Sequence, residues 1–326
     1  MTLSRFRPAA ASFLRGLLAA GAAALLAALP GAVRAEPTAD ASAQASAVVD
    51  RGRFTVEVIG QGPDVILIPG LASSRAVWDD LTAELARTHR VHRVQIAGFA
   101  GLPPGPNAEG PVVQPFVEAL AAYIEEAGLE RPAVIGHSMG GFSGLLLAQQ
   151  RPELVSRLLI VDAAAFFSAL GNPSATAESA KPGADRFKAT VLGLSDQQFA
   201  AGQQGMASVM MKTAARRPLM VEWSVATDRR VMAQAAWEVM TTDARPGLPA
   251  MTTPTTVLYA FDESMSQPGR PVTPETMDGL WRAAYQGLPN ANLVRIDGSY
   301  HFIMFDQPDR FRAEVERFLS PQEPRQ

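Results

Sequence analysis

The chain contains no cysteine, which excludes disulfides, thiolate metal sites, a cysteine nucleophile and a lipid-bearing cysteine at a processed N-terminus. Its 29 Lys and Arg stand against 32 Asp and Glu, a net charge of −3, and no Lys/Arg cluster interrupts the balance. Nucleic acid is therefore not an expected partner, because its backbone charge requires a concentrated basic patch. Histidine is scarce: His89, His92, His137 and His301 are the whole set, so imidazole acid–base chemistry must use one of them. The apolar Ala/Leu run from Leu17 to Leu29 is short for a membrane-spanning helix of roughly 20 residues.

That run follows Arg5, Arg7 and Arg15, is broken by Pro30-Gly31, and leads to the small residues of Val33-Arg34-Ala35. The pattern is that of a cleavable export signal, residues 1–35, giving a mature chain that starts at Glu36 in the periplasm or outside the cell, with no stable membrane anchor. The arginines flank Phe6 rather than adjoin each other, so a twin-arginine signal is not supported. Residues 36–50 include an Ala/Ser/Gln-rich stretch and read as a flexible leader.

What remains is ordinary globular material, 47 % hydrophobic and 19 % charged over 326 residues, in which strand and helix patterns alternate. Phe54–Val58 alternates as a half-exposed strand, whereas Val65–Ile68 is continuously apolar, as a strand buried on both faces must be. Further strands are expected at Val91–Ile96, Ala133–Ile135, Leu158–Val161, Thr255–Tyr259 and Leu293–Ile296, with helices at 77–85, 114–127, 276–285 and 308–319. Between Ala165 and Arg245 only helices and loops are legible. The expectation is an α/β fold: a mostly parallel sheet flanked by helices, with core segments 51–164 and 246–320 and a helical cap inserted at 165–245.

The chemistry concentrates at Gly136-His137-Ser138-Met139-Gly140-Gly141, directly after a buried strand and opening a helix. This is a G-x-S-x-G nucleophile elbow. Its turn is so sharp that the residues two positions either side of Ser138, Gly136 and Gly140, cannot carry a Cβ. Among the histidines, His89 and His92 lie where a helix hands over to an early strand, and the side chain of His137 should point away from the Ser138 hydroxyl. His301 remains, on the polar loop Asp297–Tyr300 after a strand, where catalytic groups of open sheets gather. The carboxylate that orients it is expected after the penultimate strand, at Asp262. Its alternatives are the adjacent Glu263 and Asp162, which ends the strand Leu158–Val161. The loop Pro69-Gly70-Leu71-Ala72-Ser73 follows the early buried strand, so the Leu71 and Met139 backbone N–H groups are the expected oxyanion hole.

With these motifs, Arg53 to Leu319 resembles a capped α/β-hydrolase of the serine esterase branch. The Ser–acid–His order is that of the family, and Gly98-Phe99-Ala100-Gly101 resembles its Gly-Phe-Gly turn, with Ala100 and Gly101 departing from it. The serine at the elbow sets the chain apart from dehalogenase and epoxide-hydrolase relatives, which use aspartate there. The resemblance implies a two-step acyl transfer with no metal and no organic cofactor. A small carboxylic ester is the first expected substrate and a lactone the second. An amidase, a peptidase or a carbon–carbon bond hydrolase would use the same triad, and a non-catalytic binding protein would use none of it. Phe166, Phe167, Trp223, Trp237 and the cap methionines are candidates either for an apolar pocket wall or for the cap's own core.

Overall fold

The computed structural model describes residues 48–266, 271–289 and 291–320. The expected export signal and the leader up to residue 47 lie outside the described residues. Eight strands form one sheet: β1 (Val48–Asp50), β2 (Phe54–Ile59), β3 (Asp64–Ile68), β4 (Arg90–Ile96), β5 (Ala133–His137), β6 (Arg157–Val161), β7 (Thr255–Phe261) and β8 (Asn292–Asp297). They lie in the order β1-β2-β4-β3-β5-β6-β7-β8. β2 is antiparallel to both β1 and β4, and the remaining pairs are parallel. Residues 48–50 were expected in the flexible leader, but Val48 and Val49 pair with Glu57 and Val56. Two β-branched residues beside a free sheet edge gain cross-strand contacts and ladder hydrogen bonds that a leader lacks.

The helices are α1 (Asp79–Leu85), α2 (Val113–Glu126), α3 (Met139–Gln150), α4 (Phe167–Gly171), α5 (Ala177–Gly193), α6 (Asp196–Met210), α7 (Arg217–Val225), α8 (Arg229–Thr241), α9 (Pro274–Ala284), α10 (Ile303–Asp306) and α11 (Pro308–Leu319). Their starts follow from local chemistry. Thr176 with Ser179, Ser195 with Gln198, and Thr273 with Thr276 form reciprocal capping boxes, each satisfying two backbone donors that a helix start otherwise leaves unpaired. None of the described helices is long and apolar enough to cross a membrane.

Two apolar layers sandwich the sheet. Phe54, Phe116, Leu120, Phe142 and Leu145 pack on one face, and Trp78, Leu81, Phe311 and Val315 on the other. Burying a side chain of this size contributes about 1.5–3 kcal/mol. The chain leaves β3 for β4 on one side, while β5 lies on the other side of β3. This reversal opens a crevice at the carboxyl ends of the strands, the place where open sheets bind ligands. The loop after β3 and the turn after β5 flank it.

Helices α4–α8 fill the span between β6 and β7, and their Val191, Phe199 and Met232 pack on Ala72 in the loop after β3. They are tied to the sheet by polar contacts. Glu238 of α8, buried, accepts the N–H groups of Val112 at 2.9 Å and Val113 at 2.7 Å, at the start of α2. The turn Gly98–Gly101 meets the cap segment Ala226–Asp228: Ala100 N–H donates to Thr227 Oγ1 at 2.9 Å, and Asp228 N–H to the Gly98 carbonyl at 2.8 Å.

Candidate active site

Ser138 sits between β5 and α3 with φ 52° and ψ −123°, a backbone state that costs a residue bearing a Cβ of order 1–3 kcal/mol. The surroundings enforce it. Ser138 N–H donates to the Val161 carbonyl at 2.9 Å and its own carbonyl accepts Phe142 N–H at 2.9 Å. A Cβ on Gly136 would lie 2.3 Å from the Gly140 carbonyl oxygen, and one on Gly140 would lie 2.3 Å from that of Ile68. Both elbow glycines are therefore required by close backbone approach. Met139 opens α3, so its N–H has no carbonyl one turn earlier to donate to and is available to a ligand.

The loop after β3 runs beside this turn: a Cβ on Gly70 would come within 3.1 Å of the Ser138 Cβ. Ala72 follows with a left-handed φ of 53°. Ala72 is buried against Val191, Phe199 and Met232 of the cap, and Leu71, Phe187 and Leu194 lean on the same cluster. Both backbone donors expected for an oxyanion hole thus belong to segments that converge on Ser138, and an apolar piece of the cap covers one of them.

His301 Nδ1 lies 2.7 Å from Asp162 Oδ2, and the other carboxylate oxygen accepts Ala260 N–H at 2.9 Å. Asp162 follows Val161, the residue whose carbonyl holds Ser138 N–H, so serine and carboxylate end the adjacent strands β5 and β6, and His301 reaches the carboxylate from the loop after β8. Like Ser138, Asp162 has a left-handed backbone, φ 53°. The Tyr285 hydroxyl donates to the carbonyl of Ala163, fixing the peptide just beyond it. Exposure is unequal: 23 % of the His301 side chain and 14 % of Asp162 reach solvent.

This arrangement corrects the expectation for the carboxylate. Asp262 does not hold His301. Its Oδ2 pairs with the Lys212 ammonium from the cap and its Oδ1 accepts the N–H and hydroxyl of Ser264. The Lys212 charge and the Ser264 hydrogen bonds outweigh partial burial and lower its pKa. Glu263 is exposed. Of the two strand-end carboxylates, Asp162 meets the imidazole and Asp262 is engaged by the lysine.

His137 was expected only to point away from the serine. Its ring is in fact completely buried, 4.6 Å from that of His301 between centroids, and its Nε2 lies 3.0 Å from the His301 carbonyl oxygen. A carbonyl can only accept, so Nε2 carries the proton. His137 thereby fixes the backbone of the neighbouring histidine. Nothing in the residue pattern distinguished this from a solvent-facing side chain. His92, expected where a helix hands over to an early strand, lies inside β4 and is buried too, between Asp64 (2.8 Å) and the Tyr123 hydroxyl (2.6 Å).

Burial, and secondarily the His301 charge, hold the His137 pKa well below the ordinary 6.5. Burial lowers His92 as well, against the pull of Asp64. His137 is neutral in the fold, whereas the unfolded chain protonates it as pH falls below 6.5. Stability is therefore full above about pH 6.5 and declines below it, by about 1.4 kcal/mol per pH unit while His137 stays neutral. Urea unfolding followed by circular dichroism should give a free energy about 2 kcal/mol lower at pH 5 than at pH 7.5. An unchanged value would mean that His137 is charged or solvated in the fold.

Phe166, Trp223, Met211, Met220, Met232 and Met240 are buried in apolar clusters or nearly so, while Met206 and Met210 remain half-buried. Trp237 donates to Asp185 at 2.7 Å within the cap. Met211, Met220 and Trp223 join the apolar layer of Trp78, Phe302 and Phe305, and Met232 packs on Ala72, so these candidate wall residues seat the cap on the core. No group of three or more His, Asp or Glu side chains is arranged to hold a metal among the described residues.

Comparisons with known proteins agree with the fold. Over 265 residues, 80 % of its length, the chain is 27 % identical to the polyketide synthase ThaQ of Burkholderia thailandensis, of which it spans only 12 %. It is 26 % identical to the pimeloyl-[acyl-carrier protein] methyl ester esterase of Aliivibrio salmonicida, covering 81 % of this chain and 95 % of that one. Several other curated relatives are matched over less than half their length. A hydrolase from Pseudomonas aeruginosa superposes with a TM-score of 0.68 at 21 % identity, over 86 % of this chain and all of the other, which speaks to the fold. The Alpha/beta hydrolase family matches residues 65–314. With its single mostly parallel sheet, its elbow serine and that match over most of its length, the chain belongs to the alpha/beta hydrolase family.

Proposed function

We propose that the chain cleaves small carboxylic esters by acyl transfer through Ser138, with His301 as general base and acid and Asp162 as the carboxylate that orients it. The observation that carries this reading is the 2.7 Å contact between His301 Nδ1 and Asp162 Oδ2, which leaves the Nε2 edge of the imidazole for the nucleophile. As Ser138 Oγ bonds to the ester carbon, its proton passes to His301 Nε2 and the carbonyl π pair moves onto oxygen. Asp162 stabilises the imidazolium so formed without taking its proton. The Leu71 and Met139 N–H groups hold the oxyanion, worth about 2.7–4 kcal/mol for each donor. When the tetrahedral species collapses, the carbon–alkoxy bond breaks and His301 returns the proton to the departing alcohol. Water then repeats the sequence on the acyl-enzyme, releasing the acid and free Ser138.

The ester class draws support from the methyl ester esterase among the relatives. The apolar cluster of Leu71, Phe187, Leu194, Val191 and Phe199 suits an acyl chain better than a charged group. Export directed by residues 1–35 stays part of the reading. The test is turnover of a nitrophenyl ester series of increasing acyl length, with a lactone and an anilide alongside, together with a fluorophosphonate that labels activated serines. Ester turnover with mass-spectrometric labelling of Ser138 is the expected result. Preference for the lactone or the anilide would reassign the substrate class, and no turnover with no label would sink the catalytic reading.

A further inference from the structure

We propose that Asp306 is a positioning residue that couples the seating of the cap to the alignment of His301, an inference that rests on the Ser138–His301 reading above. One side chain gathers three backbone donors. Thr213 N–H reaches its Oδ1 at 2.7 Å, while Lys212 N–H at 3.0 Å and Tyr300 N–H at 2.9 Å reach its Oδ2. Lys212 and Thr213 belong to the cap, in the segment between α6 and α7. Tyr300 immediately precedes His301 in a different part of the chain.

The same cap segment holds the other side of His301. Phe302 N–H donates to the Met210 carbonyl at 3.2 Å, and the Thr213 hydroxyl to the Phe305 carbonyl at 3.1 Å. His301 is thus flanked by two peptides, one tied to residues 212–213 through a shared carboxylate and the other tied directly to residue 210. His137 fixes its own carbonyl. A carboxylate suits the junction because it only accepts, offers about four lone-pair sites, and makes charge-assisted bonds about twice as strong as neutral ones.

A shift of segment 210–213 therefore moves both peptides that bracket the base. Cap and imidazole settle as one unit, and a cap lifted from its seat leaves His301 out of line with Ser138 and Asp162. A misplacement on the order of 1 Å costs about 100-fold in rate.

Two variants of the full-length chain test this. Asp306→Asn keeps the shape but replaces one accepting oxygen with an NH2 group facing N–H donors. Thr213→Pro removes both cap-side donors of that residue, the N–H to Asp306 and the hydroxyl to Phe305, at a position whose φ of −70° already suits proline. For both, kcat on the best nitrophenyl ester should fall about 10- to 100-fold with KM within about threefold. The acid limb of the pH–rate profile should also move. Hydrogen exchange should quicken in 210–213 and in 299–302 together. Wild-type kcat and pH profile in Asp306→Asn would overturn the coupling, as would a silent Thr213→Pro whose exchange rises only in its own segment. If Asp306→Asn does not fold, Thr213→Pro decides by the same readouts. Should the parent neither turn over esters nor label at Ser138, the functional reading fails, and joint or separate exchange of the two segments still decides the coupling.

Discussion

Ser138→Ala will lower kcat for whatever ester the parent hydrolyses by about 10⁶-fold, roughly 8 kcal/mol of transition-state stabilisation, with KM nearly unchanged. The size follows from the division of labour at the site. Removing Oγ removes the nucleophile and leaves His301 nothing to deprotonate but water. The oxyanion donors and the apolar cover remain and supply only residual catalysis, about 10³–10⁴-fold over water. The loss cannot be ascribed to unfolding. The elbow is held by the Ser138 N–H and carbonyl, bonded to Val161 and Phe142, and alanine keeps both groups and the same Cβ at φ 52°. The melting temperature should therefore stay within about 2 °C. Burst kinetics with a nitrophenyl ester and phosphonate labelling are the measurements. A variant retaining even about one part in a hundred of the parent's kcat would assign the nucleophile to another residue.

Much of this site was legible in the residue pattern because its parts carry local signatures. A serine between two glycines, placed after Val134-Ile135 and before an apolar helix, has few other uses, and the structure gives the steric reason in the 2.3 Å approaches to Gly136 and Gly140. His301, which elimination among four histidines points to, is the one that meets a strand-end carboxylate. The strands were legible wherever their apolar runs were uninterrupted, and β1 was not, because three exposed residues at an edge carry no period.

What the pattern could not carry were relations between distant residues. Asp162 and Asp262 both end strands of the right kind, and nothing local separates them. The separation is made by Lys212, fifty positions from Asp262, and by the left-handed turn at Asp162. His137 and Asp306 are of the same kind: each works through backbone groups far along the chain, His137 on residue 301 and Asp306 on residues 212 and 213. Neither contact leaves a trace in composition or spacing.

Asp162→Asn should then cost about 10⁴-fold in kcat, whereas Asp262→Asn should cost less than about threefold. Asp162 accepts two hydrogen bonds, from Ala260 N–H on Oδ1 and from His301 Nδ1 on Oδ2. An asparagine has one accepting oxygen for these two donors. With that oxygen on Ala260, its NH2 group faces Nδ1 and stabilises the imidazole tautomer protonated at Nε2, which cannot take the Ser138 proton. The geometry survives while the chemistry stops. At Asp262 the same substitution keeps an acceptor for Ser264 N–H and forfeits only the ion pair to Lys212. About half of the lysine side chain is exposed, at 49 %, so water screens the pair and its loss costs little stability. The two variants thus weigh one carboxylate against the other in the same assay. The reverse pattern, a crippled Asp262→Asn beside an active Asp162→Asn, would mean that His301 swings to the end of β7 during turnover and that Lys212 must first release Asp262.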